Sequence, residues 1–186
     1  MLKGKKILIG VTGGIAAYKT AMLIRMLVKE KAEVKVIMTE HAKDFITPLT
    51  LSALSGNPVL SEFFNTGNGA WNSHIELGLW ADLFVIAPAT ANSIAKMAGG
   101  MADNLLLTTY LSSRCPVFIA PSMDADMLNH PSTRDNLKIL QSAGNFILDA
   151  PEGDLASGLT GRGRMAEPED IMDQIKEFFK KKTISL

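Results

Sequence analysis

The sequence predicts an α/β chain with a mostly parallel sheet, and three observations carry that prediction. Four short apolar runs rich in β-branched residues recur, at residues 7–11, 33–39, 83–87 and 115–120. Between them lie segments whose apolar residues repeat at helical spacing. The first run ends in a glycine turn that leads straight into the first of those segments, the junction that βαβ units use.

Ile7 to Val11 holds almost no polar residue, which suits a strand covered on both faces. Gly13 and Gly14 then let the backbone turn tightly and approach a ligand, with Thr12 or the free N–H groups of the following helix available to a phosphate. The dinucleotide spacing G-x-G-x-x-G is absent. Tyr18, not glycine, precedes Lys19-Thr20, so the P-loop pattern is absent too. Two readings of the turn stay open: a nucleotide or flavin cradle, or glycines kept for close strand–helix packing.

Residues 16–31 carry Ala17, Ala21, Leu23, Ile24, Leu27 and Val28 at the spacing of a crossover helix. Residues 33–39 form the second strand, and Thr39 is placed to cap a helix opening at Glu40-His41-Ala42. His41, in that charged start, reads as a solvated surface histidine. Residues 47–54 form a helix with Pro48 in its first turn, ended by Gly56-Asn57-Pro58. Residues 61–72 are rich in turn formers yet carry Phe63, Phe64 and Trp71, which need something to pack against; another subunit would supply it.

The strand at 83–87 runs out into Pro88-Ala89-Thr90-Ala91-Asn92-Ser93, at the end where open α/β sheets bind ligands, and Thr90 and Asn92 can donate to a polar ring edge. A small-residue helix covers 94–102, and Asp103-Asn104 starts another that reaches about Ser112. The strand at 115–120 ends in Pro121-Ser122-Met123-Asp124, again at a C-terminal end. His130-Pro131 opens a helix closed by Gly144, before a short last strand at 145–148. Residues 153–165 hold four glycines, Arg162 and Arg164, and no periodicity. They read as a mobile flap whose arginines meet a substrate phosphate or carboxylate, or else as a disordered connector. A final amphipathic helix starts at Pro168, and Lys180-Lys181-Lys182 opens a solvated tail or linker. The expected organisation is one domain over 1–179, with the flap at 152–166 and a tail at 180–186.

With 19 basic and 19 acidic residues among 186, there is no electrostatic case for nucleic acid or an anionic membrane. The single cysteine, Cys115, excludes an internal disulfide framework and reads as an inert core thiol. The start of the chain leads into an apolar run too short for a signal peptide, so a cytoplasmic location is expected.

Several motifs occur in order: the glycine turn, His74 ahead of Trp80-Ala81-Asp82, Pro88-Ala89-Thr90-Ala91-Asn92, Pro121-Ser122-Met123, and Gly161-Arg162-Gly163-Arg164-Met165. On these the chain resembles the flavin-dependent cysteine decarboxylases over about residues 5–168, most closely the branch that acts on 4'-phosphopantothenoylcysteine in coenzyme A synthesis. The resemblance implies a Rossmann-like three-layer flavoprotein fold. It places FMN against Thr12, Gly13, Gly14, Ile15, Thr39, Ala89, Thr90, Ala91, Asn92 and Ser122, and substrate against Met123, Asp124, Arg164 and Met165, with no metal. His74, Asp124 and Ser157 would be catalytic.

The implied reaction oxidises the substrate's cysteine thiol to a thioaldehyde, whose sulfur takes up the electrons released as CO2 leaves. The enethiolate is then reduced and protonated to 4'-phosphopantetheine. On residue type alone His74 is equally a buried structural histidine or a proton acceptor working near neutral pH, and the resemblance selects the second. The family's homo-oligomers, built from trimers and in some cases dodecameric, place the active site between subunits. Its bacterial members are often fused to a phosphopantothenate–cysteine ligase, and this chain reads either as a stand-alone form or as a piece of such a protein.

Two positions depart from the family pattern. Asp124 stands where an asparagine binds the substrate carboxylate, in a segment where Leu128 replaces a tryptophan, and Ser157 stands where a cysteine returns the proton. An ionised Asp124 would repel a carboxylate, whereas a protonated one can donate. The retained flap residues Gly158, Gly161, Gly163, Arg164 and Met165 favour the same chemistry with Asp124 as the acid. The alternatives are a non-catalytic or regulatory flavoprotein and a decarboxylase of peptide C-terminal cysteine.

Overall fold

The computed structural model describes residues 2–64, 67 and 69–184. In chain order the first half holds β1 (Lys6–Val11), α1 (Ala17–Lys29), β2 (Glu33–Met38), α2 (Pro48–Ser55), β3 (Val59–Leu60), α3 (His74–Trp80), β4 (Leu83–Ala89) and α4 (Ala91–Ala98). The second half holds α5 (Leu105–Ser112), β5 (Val117–Pro121), α6 (Ala125–Asn129), α7 (Pro131–Ser142), β6 (Phe146–Ile147), β7 (Glu152–Asp154), β8 (Thr160–Arg162) and α8 (Pro168–Ile184). The main sheet has the order β3-β2-β1-β4-β5-β6 with every pair parallel, which bears out the mostly parallel Rossmann-like sheet and adds the strand order, which the sequence left open.

Alternation along the central strands separates the two cores. Ile7, Ile9 and Val11 join Val34, Val36, Val85 and Ala87 under α1, α2 and α8, while Leu8, Phe84, Ile86 and Ile119 face α3, α4, α5 and α7. Each buried Ile, Leu or Phe contributes about 1.5–3 kcal/mol, which holds β1 and β4 firmly in the middle of three layers. Their C-terminal ends lie side by side where the strand order reverses.

Several elements differ from the sequence expectation. Thr39 precedes a 3-10 turn over Glu40–Asp44, not an α-helix, and its side chain makes no capping bond. β4 runs on to Ala89 because Ala89 pairs with Pro121 of β5. α4 therefore starts at Ala91 rather than 94, capped by Thr90, whose Oγ1 accepts from the Ser93 N–H. α3, α6 and β3 were not foreseen. The flap is no irregular loop: β7 and β8 pair antiparallel through Glu152–Arg162, Gly153–Gly161 and Asp154–Thr160. α8 continues through Lys180, Lys181 and Lys182, read above as the start of a tail. In the aromatic stretch Phe63 stacks on Trp71 and an isolated bridge joins Phe64 to Trp71; Asn65, Thr66 and Asn68, the turn formers at its tip, lie outside the described residues.

Candidate active site

A cavity of about 850 Å³ lies beyond the C-terminal ends of β1, β2, β4 and β5, a size suited to a small-molecule site. Its floor is the turn after β1. Thr12 is fully buried; its Oγ1 donates to the Pro88 carbonyl at 2.8 Å and accepts from the Thr90 N–H at 3.0 Å. That one hydroxyl clamps the turn after β1 to the turn after β4.

Gly13 has no room for a side chain, because a Cβ would lie 2.8 Å from His41 Cβ and 2.9 Å from the His41 backbone. The turn's own backbone consequently faces the cavity. Among the described residues no acceptor is found for the N–H groups of Gly13, Gly14, Ile15 and Ala16. They stand at the head of the 13-residue α1, where unpaired donors and the helix dipole together favour an anion.

The opposite wall comes from Thr90, Ala91, Asn92 and Ser93 after β4 and from Ser122, Met123 and Asp124 after β5. Asp124 caps the short α6, its Oδ1 accepting from the Ala125 N–H at 2.7 Å, and has no cationic partner among the described residues. The flap closes the remaining side with Asp154, Leu155, Ala156 and Ser157, and its foot brings Gly163, Arg164 and Met165. Gly163 ties the flap down: the Met123 N–H donates to its carbonyl at 3.0 Å, and at φ +144 a Cβ would overlap the Met123 carbonyl oxygen.

Of the residues picked from sequence, Gly13, Gly14, Ile15, Thr39, Thr90, Ala91, Asn92, Ser122, Met123, Asp124, Ser157, Arg164 and Met165 meet around this cavity. Three do not. Thr12 spends its hydroxyl on the neighbouring turn, and Ala89 is buried within β4. His74, the first residue of α3, does not line the cavity. Its ring meets Phe63 edge-on at 6.5 Å, and its Nδ1 is buried with no hydrogen-bond partner among the described residues.

α3 is positioned by Ser73, whose Oγ accepts from the Glu76 N–H at 3.2 Å; the Ser-x-x-Glu pattern was a readable signal for this helix start. His41 is the solvated histidine the sequence suggested, with one addition. Its side chain is 85% exposed and Nδ1 lies 3.6 Å from Asp44, as a solvated histidine would, yet the residue lines the cavity beside Gly13. Lys19 also lines the cavity and was missed. Arg162 does not line it and pairs instead with Asp149. Burial pushes the Cys115 thiol up to about 11, which keeps it protonated and inert at neutral pH.

The family model described as Flavoprotein matches residues 1–180. The chain is 65% identical over 140 residues to a cysteine/cysteine sulfinic acid decarboxylase of an unknown prokaryotic organism, covering 75% of this chain and 39% of that one. It is 46% identical over 181 residues to the coenzyme A biosynthesis bifunctional protein CoaBC of Haemophilus influenzae, covering 97% of this chain and 45% of the relative. The chain thus spans less than half the length of these relatives. Among solved structures, a Cys-to-Ser mutant of PPC decarboxylase complexed with pantothenoylaminoethenethiol superposes with a TM-score of 0.86 at 32% identity, over 96% of this chain and all of that one. The FMN binding protein AtHal3 superposes with a TM-score of 0.83 at 32% identity, over 96% and 98% of the two chains. A matching family model over nearly the whole chain, and a structural relative covered from end to end, establish that the chain belongs to the Flavoprotein family.

Proposed function

We propose that the chain is an FMN-dependent carboxy-lyase that converts 4'-phosphopantothenoylcysteine to 4'-phosphopantetheine in coenzyme A synthesis. The observation that carries this reading is the cavity at the strand-order reversal, roofed by a flap and floored by four N–H groups that are unpaired among the described residues. Those residues fit FMN. The N–H groups of Gly13 to Ala16 would hold its phosphate, and Thr90 to Asn92 and Ser122 would hold its ring system, with the Asn92 amide unpaired among the described residues. When bound, FMN supplies a reversible two-electron acceptor for the carbon that carries the substrate's sulfur.

The chain's own residues then handle protons and position. His74 takes the proton released on thiol oxidation, a task its type performs near neutral pH. Within one chain it stands away from the cavity, so a second copy must bring it there. Ile75 and Leu79, one turn apart on α3, are exposed together with Trp71 and Leu111, and covering them with another copy delivers His74 to that copy's site. This exposed face supports a homo-oligomer with sites between subunits, built from trimers as the resemblance implies. Asp124, on the cavity wall, takes the place of a cysteine in returning the proton, and Ser157 on the flap helps exclude water.

The functional domain takes in the flap at 152–166 and all of α8, and the chain works in the cytoplasm beside, or fused to, a phosphopantothenate–cysteine ligase. No helix among the described residues is long and apolar enough to cross a membrane.

One observation favours a second substrate. Asp124 would pair with a free α-ammonium group better than with an acylated nitrogen, and the relative at 65% identity carries the name of a cysteine decarboxylase. Mixing the holoprotein anaerobically with 4'-phosphopantothenoylcysteine or with free cysteine, while recording flavin absorbance and product mass, decides between them. Many turnovers to 4'-phosphopantetheine support the first reading, and turnover of free cysteine alone supports the second. A flavin that bleaches once while an enethiol accumulates removes Asp124 as the acid. A flavin that never bleaches leaves a binding protein.

A further inference from the structure

Lys19 is buried to 5% exposure only a few residues beyond the anion cradle, and a buried ammonium is costly unless its hydrogen bonds are met. Its Nζ donates to the Met165 carbonyl at 3.1 Å and to Glu167 Oε1 at 2.7 Å. The same carboxylate oxygen accepts from Arg164 Nη2 at 3.1 Å. A single oxygen therefore joins the cradle helix α1 to the foot of the flap. Glu167 does not itself line the cavity, whereas Lys19, Arg164 and Met165 do.

Arg164 is held on a second side by β7. Gly153 lies so close that a Cβ there would meet Arg164 Cδ and come within 3.0 Å of Nη1. With one N–H group committed to Glu167, the Nε and Nη1 donors have no acceptor among the described residues. A guanidinium held on two sides with donors still unpaired matches the oxygens of a carboxylate or phosphate.

We infer that Glu167, itself held by the buried Lys19, is a positioning residue: it fixes Arg164 and the foot of the flap so that the remaining N–H donors of the guanidinium receive an anionic group of the substrate. The inference rests on the decarboxylase reading above for the identity of that substrate. The anchored geometry itself is a property of this chain. Glu167 touches no reacting atom and acts only through Arg164.

Glu167→Gln keeps the volume and removes the charge. In the holoprotein it raises KM for 4'-phosphopantothenoylcysteine about tenfold, while kcat stays within about twofold and flavin content is unchanged. Glu167→Asp, which keeps the charge, recovers part of the loss. Adding Glu167→Gln to Arg164→Met costs nothing beyond Arg164→Met alone, because the two act as one unit. Hydrogen exchange speeds up at β7 and β8 and not at β1 and β4.

The same variant assayed with unphosphorylated pantothenoylcysteine names the anion: a persisting KM penalty identifies the carboxylate, and a vanished one the phosphate. An unchanged KM overturns the inference. So does a parallel fall in kcat, flavin content and melting temperature that adds to the Arg164→Met effect, which is the signature of a merely structural residue. If the unaltered protein turns over no 4'-phosphopantothenoylcysteine, the functional reading fails by itself. The exchange measurement then decides: faster exchange confined to the flap upholds the anchoring, and unchanged exchange removes it.

Discussion

The floor and the roof of the cavity face each other but are held in place by different means. The floor at the ends of β1 and β4 is set by the buried sheet, and its turns are locked by Thr12 through two short hydrogen bonds inside the protein. The roof is a hairpin of three residue pairs, held by the Gly163–Met123 bond and by charged groups at Arg164, Glu167 and Lys19. Buried neutral hydrogen bonds resist water and salt, whereas partly exposed ion pairs yield to both. On the proposed reading the floor, which would hold the cofactor, stays preformed, and the roof, which would meet the substrate, can open.

His74 belongs to neither wall within one chain, and it gives the largest effect. His74→Asn lowers turnover by about 10²–10⁴-fold with flavin content intact, the range for loss of a general base. The comparison breaks if flavin is lost as well, because His74 would then belong to the floor. A mixture of inactive His74→Asn with cofactor-free Gly13→Val regains about one quarter of the activity when each site draws His74 from another copy. No recovery on mixing and reassembly removes the shared site.

The next effect sharpens the roof. Gly163→Ala forces a Cβ onto the Met123 carbonyl at a φ of +144 that L residues rarely adopt. The foot of the flap must shift, and a shift of that kind costs about 100-fold in kcat/KM. Flavin binding and the unfolding midpoint change little, because the floor is untouched. Steady-state kinetics beside flavin titration of the variant checks both halves.

Thr12→Val tests the floor. The methyl replaces a hydroxyl that meets both the Pro88 carbonyl and the Thr90 N–H, and losing the pair destabilises the fold by about 2 kcal/mol. Urea unfolding measures it. Flavin affinity falls with stability here, whereas flap exchange does not change. A stable Thr12→Val with a mobile flap would reverse the roles assigned to the two walls.

The same difference explains what could be read beforehand. β1, β2, β4 and β5 announce themselves because strands covered on both faces need unbroken apolar runs, and their ends marked most of the cavity. β7 and β8 did not, since Glu152-Gly153-Asp154 and Thr160-Gly161-Arg162 have no apolar face to alternate. Thr12 was placed on the cofactor because a threonine at a strand end suits a ligand donor and a turn clamp equally, and only its acceptor tells them apart. Lys19 and Glu167 are 148 residues apart, so no local pattern links them. His74 was picked by motif, yet nothing in a linear order shows that it lies away from the cavity of its own chain.

The smallest effect concerns the charge that anchors the roof. The hydrogen bond from Lys19, with the charges of Lys19 and Arg164, holds the Glu167 carboxyl below the usual carboxylate range, against a smaller opposing effect of burial. A carboxyl lowered in the folded state contributes stability that is present above its unfolded pKa and is lost as pH falls through the lowered folded value. Protection of the β7–β8 amides, corrected for intrinsic exchange, therefore stays level from pH 7 to pH 5 and falls only below the ordinary range of about 4.3. Because the Glu167 side chain is 43% exposed, solvent screens the pair and the change is slight. Glu167→Gln removes the dependence entirely. If the acid-induced loss of protection persists in that variant, another carboxylate anchors the flap and the roof is not held by this ion pair.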